Sequence, residues 1–399
     1  MDVTRLRVSP TRFSIRVERG DGLSAPRRIL HFAEDGDTSG YFPALAKYHD
    51  RDRYRMTFAT LKPMAPWLAE FMRGTGVDVY SVSAGGRLGY PAAIARLVTR
   101  LRSHPVDIFH AHLFDPSFVG LVSARIAGVR MRVLTRHYSN YHTRINRPLH
   151  VGIDKLCTAL SHHVIAVSRE TAEHLIAVEG APPAKVTAIH NGIDFERVRV
   201  SGPDARADIR RELAIGDEFV FLIAGRLHPE KGYDVLFEAV RDLKRRVPRP
   251  FVLIIAGKGP FQEHYLRESE RLGIADRVRF LGFRKDLPDL MVACDLFVLP
   301  SVAEAFGLVL AEALYLGAPV LASRVGGIPE IVDDGVDGLL VSPGDAVALS
   351  RAMEGWLCGR VDLPGRGEFA LRKVLARFDF RAMMRAYESV YDRLVEPLR

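Results

Sequence analysis

Two glutamates eight positions apart, Glu304 and Glu312, are the residues of this sequence with the clearest potential for chemistry. The apolar run Asp295–Pro300 in front of them predicts a buried strand that ends at a proline. The run Phe306–Gly317, rich in leucine and alanine, predicts a helix that ends at a glycine. One carboxylate therefore precedes a helix and the other lies within it, at a strand–turn–helix corner.

A corner of this kind suits an anionic ligand that also carries hydroxyl groups. The backbone N–H groups of Phe306, Gly307 and Leu308 would point out of the helix start, where they favour a negative charge. Glu304 and Glu312 would accept hydrogen bonds from hydroxyls on either side of that charge. The pattern predicts a ligand with hydroxyl groups at both ends and a phosphate in its middle. A nucleotide sugar fits this description.

A second, cationic motif lies about 80 residues upstream. The segment Gly225–Gly232 reads G-R-L-H-P-E-K-G and follows the apolar run Phe219–Ala224, which predicts a strand. Arg226 offers a planar fork for phosphate oxygens and Lys231 a compact positive charge, so the pair suits a diphosphate. The alternative is that Arg226 only forms a surface ion pair with Glu230.

Together the two motifs resemble the signature of the retaining GT-B glycosyltransferases, in particular glycosyltransferase family 4. The matching elements are E-x7-E with F-G-L inside and L-P-S in front, and G-R-x-x-x-x-K-G; the resemblance runs from about Arg28 onward. It implies an α/β protein of the GT-B fold, with two doubly wound Rossmann-like domains facing a central cleft. It also implies that Glu304 contacts hydroxyls of the donor sugar and Glu312 those of the ribose, with UDP favoured over GDP.

The family also carries a glycine loop after the first strand of the protein. Here that loop contains Ser39-Gly40 in place of the usual glycine pair, so only Gly40 matches. A glycine lets the backbone approach the leaving diphosphate closely, and we expect Gly40 to contribute to the donor site. The alternative is an ordinary strand-to-helix turn.

Histidines end three of the predicted strands in the first half, at His110, His137 and His190. By the resemblance, His137 lies beside the transferred sugar, and we expect it to be catalytic rather than a core histidine. Alternation places His110 and His112 on one face of their strand, where they are structural or contact the acceptor. Their i, i+2 spacing also suits a metal, but no cysteine or carboxylate cluster stands near them in the sequence. We therefore predict no metal site.

The elements that must position these residues alternate along the chain as short β-rich runs and helical stretches. This alternation predicts right-handed β-α-β units and parallel sheets. The strands predicted for the first half are Arg28–Ala33, Tyr54–Thr60, Val77–Ser83, Val106–His110, Met131–His137, His163–Ser168 and Lys185–His190. Those predicted for the second half are Phe219–Ala224, Phe251–Ala256, Val278–Gly282, Asp295–Pro300, Pro319–Ser323 and Gly338–Val341.

Two series of strands predict two domains, joined by the polar junction Val198–Gly216. By the resemblance, residues 28–198 bind the acceptor and residues 217–379 bind the nucleotide sugar. Residues 380–399 are predicted to form a last helix that crosses back onto the first domain. The first 28 residues hold seven arginines and no long apolar core, so residues 1–27 are predicted to be a loosely ordered extension rather than a secretory signal.

The composition is that of a globular enzyme without a disulfide framework. The chain has 399 residues, of which 48% are hydrophobic and 26% charged, which suits two domains of ordinary size. Its three cysteines are far apart, odd in number and without a C-x-x-C, which indicates a reducing compartment. No run approaches the roughly 18 apolar residues of a membrane span. We expect a cytoplasmic protein, with peripheral contact to the inner face of a membrane left open.

The resemblance implies a hexosyltransferase that moves a sugar from a nucleoside diphosphate to a hydroxyl of a glycan or lipid-linked acceptor, with retention of configuration. Fixed cations would stabilise the negative charge that develops on the leaving diphosphate. No D-x-D motif stands where a metal-dependent transferase would need one, so we predict that the reaction needs neither a metal nor a cofactor.

Other functions fit parts of the pattern. A GT-B nucleotide-sugar epimerase or hydrolase shares the fold and the phosphate site, and product analysis would separate it from a transferase. A non-catalytic nucleotide-sugar-binding regulator is a further alternative, although the intact motif residues argue against decay of the site. A retaining glycosidase would not need the phosphate-binding cations. A dinucleotide oxidoreductase would need G-x-G-x-x-G after a first strand, which is missing.

Positive charge is concentrated between residues 91 and 150. This segment holds nine arginines against two aspartates, in a chain whose net charge is +8. Arginine suits phosphate and carboxylate groups. We therefore predict an anionic acceptor, either a phosphorylated or acidic glycan or a lipid at an anionic membrane face, and no nucleic acid because the segment lacks a binding motif for it. The arginines are Arg96, Arg100, Arg102, Arg125, Arg130, Arg132, Arg136, Arg144 and Arg147.

Overall fold

The computed structural model describes residues 25–34, 40–83, 85–138 and 147–395. These residues form two parallel β-sheets with helices packed on their faces, which confirms the predicted α/β architecture of two doubly wound halves. Residues 1–24, which make up most of the predicted extension, lie outside the described residues.

The first sheet has the strand order β3-β2-β1-β4-β5-β6-β7, and every neighbouring pair is parallel. Its strands are β1 (Arg27–Ala33), β2 (Tyr54–Thr60), β3 (Asp78–Ser81), β4 (Ile108–His112), β5 (Met131–Arg136), β6 (His163–Ala166) and β7 (Val186–Ala188). Its helices are α1 (Tyr41–Tyr48), α2 (Pro66–Gly74), α3 (Tyr90–Ser103), α4 (Phe114–Ile126), α5 (Pro148–Leu160) and α6 (Arg169–Ala177).

The second sheet has the order β10-β9-β8-β11-β12-β13, again parallel throughout. Its strands are β8 (Phe219–Ala224), β9 (Phe251–Ala256), β10 (Val278–Gly282), β11 (Leu296–Leu299), β12 (Val320–Ser323) and β13 (Gly338–Val341). The remaining helices are α7 (Ala205–Glu212), α8 (Tyr233–Arg246), α9 (Gln262–Arg271), α10 (Leu287–Ala293), α11 (Leu308–Tyr315), α12 (Ile328–Ile331), α13 (Ala346–Leu357), α14 (Glu368–Arg377) and α15 (Phe380–Val395). In the described part of the chain, no helix combines the length and the apolar character needed to cross a membrane.

The strands of the second sheet read as continuous apolar runs because helices cover both faces of the sheet. Residues of β8 and β9 alternate between two buried clusters, one on each side. Strands buried on both faces lack the polar alternation of a half-exposed sheet. For this reason the strands β8 and β9 have the bounds that the sequence predicts.

Both sheets reverse their strand order beside their first strand. β1 lies between β2 and β4, and β8 lies between β9 and β11. At such a switch point the loops after two neighbouring strands leave a crevice at the carboxyl edge of the sheet, where ligands bind. Gly40 follows β1 and Glu304 follows β11, so the sequence motifs stand at these two crevices.

Two strand ends near the site differ from their predicted positions. β4 lies two residues further along the chain than predicted, so His112 belongs to the strand. β5 ends at Arg136, so His137 follows the strand and does not close it. Element ends are weakly encoded, because an apolar run does not say where the last ladder hydrogen bond falls.

The last helix, α15, packs on the first half of the protein, although the second half precedes it in the chain. Its buried residues recur at helical spacing and share a core with α1 and β2. Tyr391 of this helix places its hydroxyl 2.6 Å from His110 Nδ1, and Glu388 Oε1 accepts a hydrogen bond of 2.8 Å from the Asp50 backbone N–H. The end of the chain therefore ties the two halves together.

Candidate active site

The cationic motif occupies the loop between β8 and α8. Arg226 stands just after the strand, and Lys231 ends a short 3-10 turn, Pro229–Lys231, in front of the helix. Arg226 Nη2 donates to Glu230 Oε1 at 2.7 Å, while the arginine side chain remains 60% exposed. The surface ion pair considered from the sequence is therefore present. Such exposed pairs contribute about 1 kcal/mol or less, so the guanidinium remains available to a phosphate.

Lys231 and Glu304 form an ion pair across the switch point between β8 and β11. Lys231 Nζ donates to Glu304 Oε2 at 2.6 Å, and Ser301 Oγ donates to the same oxygen at 3.3 Å. Both charged side chains are mostly buried. An ammonium group has three N–H donors, so Lys231 can hold Glu304 and still donate to a phosphate. This pair brings the two sequence motifs into one site.

Helix α11 begins at Leu308, two residues later than predicted. Gly307 has a φ of 101°, and an α-helix does not extend through that conformation. Phe306 points into the core, where its ring centroid lies 5.5 Å from that of His190 and 5.4 Å from that of Phe378. The prediction of a helix that includes Phe306 is therefore wrong. The positive end of the helix dipole still faces the loop in front of Leu308.

Glu312 lies further along α11 and is partly buried. Burial raises the pKa of its carboxyl group to about 7, and the positive charge of Arg197 opposes that shift. Near neutral pH the group is therefore divided between its protonated and ionised forms. It can both donate hydrogen bonds to hydroxyl groups and accept them.

Gly40 directly precedes α1 and adopts a left-handed φ of 78°. A Cβ atom at this position would lie 1.2 Å from a guanidinium nitrogen of Arg197, so a side chain here would have to displace the end of that arginine. The glycine therefore makes room for Arg197, whose charge also acts on Glu312. Residues 35–39, which complete the predicted glycine loop, lie outside the described residues.

A glycine pair after β12 packs against the main chain around Glu304. A Cβ atom on Gly326, whose φ is 57°, would lie 1.5 Å from the carbonyl oxygen of Glu304. A Cβ atom on Gly327 would lie 2.6 Å from the carbonyl oxygen of Ala305. The two loops therefore support each other at a distance that no side chain allows. In the sequence, the only sign of this close packing is the glycine pair in G-G-I-P-E, soon after a predicted strand.

Glu330 joins the two halves of the protein at the edge of the cleft. Its carboxylate accepts hydrogen bonds of 2.9 Å and 3.2 Å from the backbone N–H groups of Arg169 and Glu170, at the start of α6. His190 Nε2 lies 2.6 Å from Glu330 Oε2. Burial alone would raise the pKa of Glu330, but these hydrogen bonds hold it below its usual value. A carboxylate at a helix start is stabilising, so Glu330 fixes the second half against the first.

Three neighbouring strands carry a histidine cluster in the first sheet. The strand register pairs His31 with His110 and His112 with Thr135. The rings of His110 and His112 stack with centroids 4.3 Å apart, which confirms that they share a face. His137 Nε2 lies 3.1 Å from His112 Nδ1. The sequence did not indicate His31, because one histidine in an apolar strand has no diagnostic spacing.

The cluster also offers three nitrogen atoms, from His31, His110 and His112, that lie within 4.8 Å of one another, as a metal site would require. However, the two ring nitrogens of His110 already contact the hydroxyl groups of Tyr391 at 2.6 Å and Thr135 at 2.7 Å. Stacked rings also direct their lone pairs alongside each other rather than at a common point. The geometry fits a hydrogen-bonded cluster better than a metal centre, and the lack of a metal requirement stays a prediction.

Burial keeps the histidine cluster uncharged. It lowers the pKa of His31 to about 3 and that of His137 to about 4, and it holds the pKa values of His110 and His112 well below the usual range. Repulsion between neighbouring imidazolium groups acts in the same direction for His110 and His112. Each ring therefore carries one proton at neutral pH, so it donates at one nitrogen and accepts at the other.

The predicted site residues fall into two groups. In the second half, Arg226, Lys231 and Glu304 lie together at the switch point beside the start of α11. In the first half, Gly40 and His137 are neighbours, because the ring of Tyr41 packs edge-on against His137 with centroids 5.0 Å apart. Arg197 lies against Gly40 of the first half and acts electrostatically on Glu312 of the second half.

The arginine surplus is only partly available to a ligand. Arg136 is buried, with Nη1 2.9 Å from Asp154 and 3.1 Å from Glu179, so it stabilises the fold. Arg132 donates to two backbone carbonyl groups. Arg144 lies outside the described residues. The members of the surplus that are exposed are Arg96, Arg100, Arg102, Arg125, Arg130 and Arg147.

Two family models match the chain, one on each half. The model described as Glycosyltransferase Family 4 matches residues 41–197, and the model described as Glycosyl transferases group 1 matches residues 205–365. The first match covers His110, His112 and His137, and the second covers the cationic motif at 225–232 and both glutamates of the E-x7-E motif.

Named relatives match large parts of the chain. The D-inositol 3-phosphate glycosyltransferase of Streptomyces griseus subsp. griseus is 31% identical over an alignment of 409 positions. The alignment covers 87% of this chain and 86% of that protein. The D-inositol 3-phosphate glycosyltransferase 2 of Catenulispora acidiphila is 36% identical over 260 residues, covering 62% of this chain and 60% of that protein.

Solved structures share the fold. Anabaena Alr3699/HepE in complex with UDP and glucose has a TM-score of 0.79 at 25% identity, covering 92% of this chain and 100% of that chain. The same protein with UDP-glucose has a TM-score of 0.77 at 26% identity, with the same coverage. WaaG, a glycosyltransferase involved in lipopolysaccharide biosynthesis, has a TM-score of 0.72 at 18% identity, covering 92% of this chain and 99% of that chain.

Proposed function

This chain belongs to the family 4, group 1 glycosyltransferases, and from this premise we propose that it transfers a hexosyl group from a UDP-sugar to a hydroxyl of an anionic acceptor. The transfer retains configuration and needs no metal ion. The observation that carries the proposal is the Lys231–Glu304 pair, with a 2.6 Å contact that sets a phosphate-binding cation beside a hydroxyl-binding carboxylate.

The donor assignment draws on the corner formed by β8, β11 and α11. Arg226 and Lys231 supply two cations, and the start of α11 supplies the positive end of a helix dipole. Three fixed positive groups match the two charges of a diphosphate. The solved relative Anabaena Alr3699/HepE was crystallised with UDP and with UDP-glucose, which supports UDP as the nucleotide.

Catalysis follows from where charge develops. When the bond between sugar and phosphate breaks, negative charge grows on the diphosphate and positive charge on the sugar. Cations fixed at the diphosphate stabilise the transition state more than the bound donor. We assign Glu304 to hydroxyls of the transferred sugar and His137 to its neighbourhood, and the acceptor attacks on the face that the diphosphate leaves. This mechanism uses no nucleophile from the protein.

A panel of nucleotide sugars tests the proposal without knowledge of the acceptor. We expect UDP and a UDP-sugar to raise the melting temperature more than GDP and GDP-sugars, and slow hydrolysis of one UDP-sugar to survive EDTA. Product analysis distinguishes transfer or hydrolysis from epimerisation of the nucleotide sugar. Failure of all nucleoside diphosphates to stabilise the protein would refute the donor site, and activity that stops with EDTA would refute the metal-free mechanism.

An acceptor that carries a phosphate is the second part of the proposal. The curated relatives are named for D-inositol 3-phosphate, and the exposed arginines of the first half suit a phosphate. The same chemistry occurs on phosphorylated small molecules or glycans and on the surface of an anionic membrane. The relatives' names support a phosphorylated small molecule or glycan. Exposed apolar side chains on the first half support an anionic membrane.

The surface feature in question is an exposed apolar pair flanked by arginines. Leu88 is 99% exposed and Leu149 is 73% exposed. The residues next to them are in contact, because Arg87 Nη2 is 3.3 Å from His150 Nε2. Arg147, two positions before Leu149, is also exposed. Apolar side chains ringed by basic ones are typical of peripheral contact with anionic lipid.

Flotation with liposomes separates the two sources of phosphate. If the membrane is the source, wild type should float with anionic but not with neutral vesicles at low salt, since each basic residue adds roughly 1 kcal/mol. The double variant Leu88→Ser, Leu149→Ser should lose this binding. The control Val347→Ser removes an apolar side chain of the second half that is 57% exposed, and this variant should keep the binding. If wild type binds neither type of vesicle, the membrane source is excluded and a soluble phosphorylated acceptor remains.

A further inference from the structure

Three histidines form a hydrogen-bonded row that leads from the interior of the first sheet to the cleft. His31 Nδ1 lies 2.9 Å from His112 Nε2, and His112 Nδ1 lies 3.1 Å from His137 Nε2. His112 thus uses both of its ring nitrogens within the row. His31 and His112 are buried, whereas His137 is half-buried at the carboxyl edge of the sheet.

The surrounding strands hold this row in place. His110 stacks on His112 and is itself fixed by the hydroxyl groups of Tyr391 and Thr135. The ring of Phe42 packs edge-on against His112, with centroids 5.4 Å apart. Rings packed closely in this way cannot rotate freely. The hydrogen bonds along the row therefore have a fixed geometry.

Protons in a row of neutral imidazoles are coupled. Each of the three rings carries one proton, so each hydrogen bond fixes the direction of the next. In one arrangement His31 Nδ1–H donates to His112, His112 Nδ1–H donates to His137, and His137 keeps its proton on Nδ1. In the reverse arrangement His137 donates from Nε2 and has a bare lone pair on Nδ1. The row therefore decides whether His137 offers a ligand a donor or an acceptor.

We propose that His31 and His112 are positioning residues that fix the tautomer of His137, so that its Nδ1–H group faces the donor sugar; this inference rests on the proposed function. The N–H dipoles of the row then align with their positive ends toward the cleft, where the diphosphate brings negative charge. A donor on His137 also complements Glu304, which only accepts hydrogen bonds when ionised. The two residues together can distinguish the orientation of sugar hydroxyls.

The tautomer itself is measurable in the full chain by NMR of ¹⁵N-labelled histidine, with His137 assigned by the signals lost in His137→Gln. In wild type we expect the proton of His137 on Nδ1. In His31→Phe the row loses its first donor, and the Nε2-protonated form should appear. His31→Asn, whose amide nitrogen reaches the position of Nδ1, should restore the wild-type tautomer. His31→Gln extends past that position and should not.

Kinetics give an independent readout. His31→Phe should lower kcat about tenfold, the effect of one misdirected hydrogen bond, and leave the KM for the donor unchanged. His31→Asn should recover most of kcat. The control His163→Phe removes a buried histidine that contacts Thr187 at the opposite, amino-terminal end of β6; it should leave the tautomer of His137 and kcat unchanged.

These measurements test the histidine row and the donor site separately. A wild-type His137 protonated on Nε2, or an identical tautomer in wild type and His31→Phe, overturns the role of the row even if transfer is normal. The wild-type spectrum is decisive even if the phenylalanine variant does not fold. Absence of stabilisation by UDP together with the expected tautomer would instead refute the proposed function, since the spectrum is recorded without a nucleotide.

Discussion

Replacing Lys231 by alanine is expected to lower kcat/KM about a hundredfold or more while the protein stays folded. The ammonium group of Lys231 is the cation that directly contacts Glu304, at 2.6 Å, so its removal takes away a phosphate donor and leaves the carboxylate unpaired. Both losses act on the diphosphate, because an uncompensated Glu304 repels it. Arg226→Ala should act in the same direction. Steady-state kinetics and thermal shift with UDP measure the two effects.

The matched control is Lys244→Ala. Lys244 is also a partly buried lysine with a carboxylate partner, Asp276, at 2.6 Å, but it lies near the far end of α8. Its removal should leave kcat/KM unchanged. If UDP raises the melting temperature of Lys231→Ala and Arg226→Ala as much as that of wild type, the assignment of the diphosphate site is wrong.

The fold could be predicted from the sequence because the strands of a doubly wound sheet are coded locally. Apolar runs such as Phe219–Ala224 end abruptly at glycine or polar residues, and helices fill the intervals between them. The start of α11 could not be predicted in the same way. Gly307 and Phe306 both look compatible with the beginning of a helix, and only the packing of the Phe306 ring on His190 and Phe378 shows that the chain must turn first.

The site could be predicted where its residues are close in sequence and not where they converge in space. Glu304 and Lys231 each belong to a local motif, and their contact at 2.6 Å agrees with a shared site. His31 and Arg197 are single residues whose roles arise from the register of β1 with β4 and from the space beside Gly40. The spacing of residues along the sequence does not reveal such contacts. The same holds for Arg136, which looked like a ligand-binding arginine until its buried partners were known.

Replacing each glutamate of the motif by glutamine should separate chemistry from nucleotide binding. Glu304→Gln keeps the shape of the side chain but cannot pair with Lys231 Nζ as an anion, so kcat should fall about a hundredfold with UDP binding nearly unchanged. Glu312→Gln should instead weaken UDP binding about tenfold, because a hydrogen bond to a charged group contributes roughly 1.5–3 kcal/mol. Kinetics and calorimetry with UDP report the two quantities.

The pKa of Glu312 gives this prediction a pH signature. Burial raises that pKa to about 7, so glutamine resembles the protonated group that dominates at about pH 6 and differs from the carboxylate that dominates at about pH 8. The loss of UDP affinity in Glu312→Gln should therefore be small at the lower pH and grow as the pH rises. The control Glu354→Gln alters a glutamate on α13 that pairs with Arg360 and should show neither effect. The proposed roles, Glu304 at the sugar and Glu312 at the ribose, would be contradicted by two results. One is a wild-type kcat in Glu304→Gln. The other is a loss of UDP affinity in Glu312→Gln that becomes smaller as the pH rises.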